Sequence, residues 1–391
     1  MKCVVNAAEL EKKLAQLKPS PIFRGCLLEA SGDALTITNA DSRAVTSISV
    51  PARVEIPGRV SPDITMLRTL LKGIGSQDVE LSLVDGTHRL RIKFEAGNGT
   101  ESVYLIPYFD ADDTPLSIVQ DIKLEEAQLF AFFPTDALLK QTLTRMKKFV
   151  SGAYFSGFIF IPEDGFVTVM SILPHLAAKD EVPAEVFGKD MIVVPVGIVD
   201  AEVKNLAVLP NERNCWIIAL NDGGFSAFPS FNLTEENKQI VHLTNELFNK
   251  ESSLVAVASV TFWQNLKKAI KTSSSSRSKH SRRYLKIDFD FQEHKCYLWE
   301  SDYSKPEICY VSGEFPKIVD GAPIDGWEVI SFAADLIYDA LEFIIVPERI
   351  EFIISSEIPA IRLVRGSSSL MLAATVKGTD YKSQMAEVSQ A

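Results

Sequence analysis

Lysines set the clearest chemical pattern in this chain. Lys12 and Lys13, then Lys140, Lys147 and Lys148, then Lys267, Lys268 and Lys271 recur in three short segments, each time among apolar residues at helical spacing. Ammonium groups arrayed on a surface neutralise phosphates, the main source of affinity for nucleic acid. Other chemistries find little support. Cys3, Cys26, Cys215, Cys296 and Cys309 are odd in number and scattered, with no Cys-x-x-Cys pair, so they read as reduced, mostly buried thiols rather than disulfides or zinc ligands. His88, His175, His242, His280 and His294 have no ligand spacing with cysteine and read as structural or surface groups. Asp110, Asp112 and Asp113 lack the glycine and glutamate of a calcium loop and read as a solvated turn. Asp288 and Asp290 share one side of an expected strand, read as an exposed face. Phosphate-binding loops, nucleophile elbows and His-Glu-x-x-His sequences are missing from the sequence. The expectation is a protein that is not an enzyme, with no catalytic residue, cofactor or metal.

Positioning those lysines requires domains of ordinary composition. The chain has 391 residues, 46% hydrophobic and 23% charged, which suits two to three globular domains. Its net charge of −11 opposes nucleic-acid binding unless the cations are segregated onto one surface. No run approaches the ~20 apolar residues of a membrane span, and the first residues lack the apolar stretch of a secretory signal. A cytoplasmic protein without membrane contact is expected.

One amphipathic helix signal occurs three times, over residues 7–18, 135–150 and 260–272. A second helix is expected behind each, over 62–72, 196–206 and 333–343. Alternating strand runs lie between them (26–30 with 34–39, 157–161 with 166–170, 284–289 with 295–300), and another hairpin follows each second helix. A repeat of about 130 residues is too long for a solenoid unit and indicates three homologous α+β domains, 1–120, 121–252 and 253–378, with a flexible tail over 379–391.

On the first helix of each copy the two residue classes separate. Leu10, Leu14 and Leu17 oppose Lys12, Lys13 and Gln16; Leu139, Leu143, Met146 and Val150 oppose Lys140, Thr144, Lys147 and Lys148; Phe262, Leu266 and Ile270 oppose Gln264, Lys268 and Lys271. One such face is ordinary solvated surface. Three in equivalent places, in an acidic protein, are easier to understand if a polyanion offsets their repulsion. The second helices fit less well: Arg68, Lys72 and Lys204 agree, whereas Asp335, Asp339 and Glu342 do not.

Several stretches carry a family likeness: Val4-Val5-Asn6-Ala7-Ala8-Glu9-Leu10, Leu27-Leu28-Glu29-Ala30 leading to Leu35-Thr36-Ile37-Thr38-Asn39-Ala40-Asp41, Val50-Pro51-Ala52, Phe155-Ser156-Gly157-Phe158 and Ile192-Val193-Val194-Pro195. In this order and spacing the chain resembles the bacterial DNA polymerase III β sliding clamp over residues 1 to about 377. The resemblance implies an α+β fold of three repeated clamp domains, helices lining the inside and antiparallel sheets outside, joined head-to-tail as a dimeric ring. A circle of six helices, each about 10 Å wide, leaves only about 9 Å clear, whereas twelve leave about 28 Å, so only a homodimer would admit a duplex. The implied partners are duplex DNA without sequence preference, the replicative DNA polymerase and an ATP-dependent clamp loader. Lys12, Lys13, Arg24, Lys140, Lys147, Lys148, Lys267, Lys268 and Lys271 are the expected DNA-facing residues, followed by Arg68, Lys72 and Lys204. Positions matching the family's partner-peptide pocket are Phe155, Ser171, Leu176, Met371 and Ala373.

The sequence departs from that pattern in three places. Ser171-Ile172-Leu173-Pro174-His175-Leu176 replaces the family's Thr-Asp-Gly-His-Arg-Leu, which bears on peptide preference. The end reads Leu372-Ala373-Ala374-Thr375-Val376-Lys377 in place of Met-Pro-Met-Arg-Leu, which points to a shallower pocket. Ser273-Ser274-Ser275-Ser276 stands where the family has an apolar pair supporting the dimer, and leads into a basic loop with Arg277, Lys279, His280, Arg282 and Arg283. These departures motivate a second reading, a clamp-fold scaffold or decoy that binds polymerase or loader peptides without enclosing DNA.

Overall fold

The structure, a computed structural model, describes residues 1–17, 23–40, 43–84, 86–96, 99–113, 122–150, 155–210, 214–221, 223–275, 284–301, 307–322, 329–353, 360–373 and 376–377. The basic loop of residues 277–283, Lys18 and the tail therefore lie outside the described residues.

Element order repeats three times. The first copy runs β1 (Lys2–Asn6), α1 (Ala7–Leu14), β2 (Leu27–Ser31), β3 (Ala34–Ala40), β4 (Val45–Ile56), β5 (Gly58–Pro62), α2 (Ile64–Ile74), β6 (Asp78–Leu83), β7 (Arg89–Glu95) and β8 (Glu101–Phe109). In the second come β9 (Gln128–Phe132), α3 (Asp136–Met146), β10 (Gly157–Glu163), β11 (Phe166–Leu173), β12 (Leu176–Pro183), β13 (Glu185–Val186), β14 (Ile192–Pro195), β15 (Asn205–Pro210), β16 (Asn214–Asn221) and β17 (Gly224–Phe231). An additional helix, α4 (Glu235–Asn249), precedes the third. That copy has β18 (Leu254–Val257), α5 (Val260–Ser275), β19 (Tyr284–Asp290), β20 (Lys295–Ser301), β21 (Glu307–Val311), β22 (Lys317–Gly321), β23 (Val329–Ala333), α6 (Ala334–Ile344), β24 (Arg349–Ile353), β25 (Ala360–Arg365), β26 (Ser368–Ala373) and β27 (Val376–Lys377).

Helices α1, α2 and α5 start where side chains cap them. The Asn6 carboxamide oxygen accepts from the Ala8 and Glu9 amides, Asp63 accepts from Met66, and the Ser259 hydroxyl oxygen accepts from Phe262. Each expected apolar stripe is buried, including Leu10, Leu14, Leu139, Leu143, Met146, Phe262, Leu266 and Ile270. Burying a side chain of this size contributes roughly 1.5–3 kcal/mol.

The structure departs from the expected elements in two places. Residues 196–206 form a short 3₁₀ segment, Val196–Asp200, followed by strand β15, so Lys204 sits on no helix. Gly197 and the β-branched Val196, Ile198, Val199 and Val203 are poor helix formers, and β15 gains a full ladder with β16 from Asn205↔Leu220 to Pro210↔Cys215. The second is α4, a helix in a stretch to which the sequence reading assigns no element. Thr234 caps it, Glu235 and Glu236 follow in the first turn, and Val241 and Phe248 are buried at a seven-residue spacing.

Two compact units result: Met1–Lys140 with Pro162–Val167 and Pro183–Asn232, and Gln141–Ile161 with Thr168–Val182 and Leu233–Ala391. They cut through the second copy because strands pair across copies. The first unit contains one sheet of thirteen strands, β1-β6-β7-β8-β5-β2-β3-β4-β17-β16-β15-β9-β13, in which β4 of the first copy bonds β17 of the second from Val45↔Ala227 to Ile48↔Gly224. Ala40, Val45, Ala207, Leu209, Ile218 and Ala227 form a small core at this seam. A Cβ on Gly224 would lie 2.0 Å from the Ser47 carbonyl oxygen, so only glycine lets the backbones approach. The second unit contains a sheet running β10-β11-β12-β26-β25-β24-β18-β22, and a five-stranded sheet β21-β20-β19-β23-β27. There β12 of the second copy bonds β26 of the third, from Leu176↔Leu372 to Lys179↔Ser369.

Candidate nucleic-acid interface

The faces opposite the buried stripes hold the cations. In the first unit Lys12, Arg24, Arg68 and Lys72 are exposed, and Lys13 is half-buried with its Nζ beside the turn at Gly223. Arg68 on α2 reaches Glu11 on α1 at 2.9 Å, at the rim of a groove of about 290 Å³ that Lys72 also lines. Lys204 is exposed, borders a second cavity of about 350 Å³ with Lys13, Asp136 and Glu202, and bonds through its backbone to Leu220 and Phe133.

In the second unit α5 carries Lys267, Lys268 and Lys271 and no acid, whereas α6 carries Asp335, Asp339 and Glu342 and no cation. The two helices are linked by an ion pair between Lys267 and Glu342, and the Lys267 Nζ also lies 5.6 Å from the centre of the Tyr338 ring. Lys148, just beyond α3, donates to the Asp339 carbonyl oxygen at 2.8 Å and lies 3.6 Å from its carboxylate. Burial lowers the pKa of Lys148, although Asp339 and Glu342 oppose the shift. The hydrogen bond from Lys267 lowers that of Glu342. Lys147, Lys268 and Lys271 are exposed, as is Lys140 in the first unit. Lys12, Lys72, Lys147 and Lys268 form no ion pair among the described residues.

Arg145 is cationic too but turns inward. It reaches the Asp180 carboxylate at 2.6 Å, and the same carboxylate accepts from the hydroxyls of Thr142, Ser367 and Ser368 at 2.7, 3.0 and 3.0 Å and from the Glu181 amide. This buried hub ties α3 and β12 to the turn before β26. Nothing in the sequence singles out Asp180, because its partners are distant in the chain.

No family model matches this chain, and no curated protein matches it by sequence. Solved structures do. The DNA polymerase III β subunit of Pseudomonas aeruginosa superposes with a TM-score of 0.72, covering 96% of this chain and 100% of that one at 14% identity. That of Thermotoga maritima gives 0.68 at 17% identity, over 96% and 99%. A Helicobacter pylori β clamp bound to a DNA ligase peptide gives 0.66 at 14% identity, over 96% and 100%. The chain carries the sliding-clamp fold.

Within this clamp fold the expected pocket residues are largely closed over. Phe155, Ser171, Leu176 and Met371 are buried, and Ser171 donates to the Phe149 carbonyl oxygen at 2.8 Å. Leu176 and Met371 lie on the paired strands β12 and β26. Their partners are Leu372 and Ala177, so the two side chains project to opposite faces. Ala373 is half-buried and bonds the His175 carbonyl oxygen through its amide.

Other groups hold structural places. Asp288 and Asp290, expected on an exposed face, are both buried: Asp288 accepts from the Ser331 hydroxyl at 2.5 Å and Asp290 accepts from the Gln292 and Glu293 amides. Asp290, with its two local amide donors, closes the turn after β19. Asp112 is exposed and pairs with Arg59, and Asp110 lies 3.7 Å from His88. Four cysteines are buried and Cys309 is exposed. Among the described residues no helix is long and apolar enough to cross a membrane, and no three His, Cys, Asp or Glu side chains could hold a metal.

Proposed function

We propose that two copies of this chain close head-to-tail around duplex DNA as a non-enzymatic processivity factor, tethering the replicative polymerase in the cytoplasm after loading by a separate ATPase. One observation supports this above the others. Inside the chain the same connection is used twice: the third strand of one copy's first meander bonds the third strand of the next copy's second meander, as β4–β17 and as β12–β26. Continuing that rule pairs β21 with the β8 of a second molecule. Both strands stand at a sheet edge among the described residues, since β21 pairs as a strand with β20 alone and residues 101–107 of β8 pair with β7 alone. Both also expose apolar side chains, Val103, Tyr104 and Leu105 on β8 and Ile308 and Val311 on β21, an arrangement that soluble proteins avoid unless a partner covers it.

On this reading each chain comprises three domains, 1–120, 121–252 and 253–378, and the ring spans six seams. Lys12, Lys13, Arg24, Arg68, Lys72, Lys140, Lys147, Lys148, Lys204, Lys267, Lys268 and Lys271 face phosphates without reading bases, which permits sliding. Partner peptides are expected beside Phe155, Ser171, Met371 and Ala373, with Leu176 on the opposite face of the β12–β26 pair from Met371 and so behind the peptide, and the closed surface must open to admit them.

The test is topological. Protein mixed with linear duplex should resist dilution and high salt when both ends are then blocked with streptavidin, and should run off when one end is open. Equal retention on both would exclude encirclement. A cysteine walk over residues 102–106 locates the seam: at least one position should cross-link to the natural Cys309 of a second molecule. A walk that yields only monomer, together with micromolar monomer on sizing, would instead favour the scaffold reading.

A further inference from the structure

Building on the ring reading, we propose that Asp339 and Glu342 on α6 act as built-in competitors of DNA phosphate. They hold Lys148 of the second copy and Lys267 of the third in ion pairs and so lower the grip of both lysines on the duplex.

The geometry is specific. Lys148 donates to the Asp339 carbonyl oxygen at 2.8 Å with the carboxylate 3.6 Å away, and Lys267 pairs with Glu342 while lying against the Tyr338 ring. A lysine held in this way must exchange a protein carboxylate for a phosphate before it contributes to binding. Helix stability does not explain the acids. Asp335, in the first turn, complements the helix dipole, whereas Glu342, in the last turn, opposes it. The fold does not require them either. α2 and α6 are both eleven residues long in equivalent places, and counting from their first residues, α2 has Thr69 and Lys72 where α6 has Asp339 and Glu342. A clamp gains from such restraint, because affinity that closes the ring onto phosphates also slows sliding.

The experiment measures binding of a 30-base-pair duplex across a salt series for Asp339→Asn with Glu342→Gln, for Asp335→Asn and for the unaltered protein. Each lysine released should steepen the dependence of log K on log salt by about 0.9; Glu342→Gln releases Lys267, while Asp339→Asn removes the carboxylate beside Lys148 but leaves its bond to the main-chain carbonyl, so the double variant should lose roughly 3.5- to 12-fold more affinity than the unaltered protein between 50 and 200 mM salt. At the lowest salt it should bind more tightly. Asp335→Asn removes one charge from the same helix but frees no paired lysine, so its slope should stay unchanged. Equal slopes for the double variant and the unaltered protein, or an equal rise with Asp335→Asn, would overturn the proposal. Failure of the unaltered protein to bind duplex at all would refute the ring reading instead.

Discussion

Asp180→Ala should strongly destabilise the second unit. The carboxylate is 2% exposed and accepts from Thr142, Arg145, Ser367, Ser368 and the Glu181 amide. Its loss leaves the Arg145 guanidinium facing three hydroxyls that cannot neutralise it. Removing one partner of a buried pair costs about 3–5 kcal/mol. The Arg145 side chain is 28% exposed, so water screens part of that charge and the lower end of the range, about 3 kcal/mol, is expected. Native-state hydrogen exchange on residues 176–179 and 369–372, the seam beside the hub, reads this directly, with urea unfolding as a second measure. Converting Arg145 to Met in the Asp180→Ala background should recover about 1 kcal/mol or more, because no stranded charge remains. A loss below about 1 kcal/mol, or a double variant as unstable as the sum of the singles, would refute the idea that charge compensation at Asp180 holds this seam.

Gly224→Ala should break the corresponding seam in the first unit by steric means, since the added carbon would lie 2.0 Å from the Ser47 carbonyl oxygen. Exchange at residues 45–48 should accelerate while that at 176–179 is unaffected, and equal protection of residues 45–48 in both proteins would contradict the close-approach argument. The buried thiols make a pH prediction. Burial raises the Cys3 thiol to about 11 and the Cys26 thiol to about 12. Because the folded state holds these protons more tightly, their contribution to stability is complete below about pH 9 and is lost as pH rises towards those values, by up to about 1.4 kcal/mol per pH unit for each thiol. Denaturant midpoints between pH 8 and 11 should therefore fall, and should fall less steeply in Cys26→Ala; matching slopes would sink the assignment.

The sequence by itself determined the parts whose physics is local. Amphipathic period places Leu10, Leu139 and Phe262 inside and lysines outside, alternation and turn residues mark the hairpins, and the threefold recurrence is visible without coordinates. Where local signals conflict, as at residues 196–206, pairing with β16 decides for a strand. What only the tertiary structure decided concerns residues far apart in the chain. Asp180 looks like any strand acid until Arg145 and Ser368 surround it, and Asp339 and Glu342 look like ordinary helix acids until Lys148 and Lys267 meet them. The open edges of β8 and β21 belong to the same class: a strand's sequence gives its propensity, but which hydrogen-bonding side stays unpaired is fixed only by the neighbours that the rest of the chain brings to it.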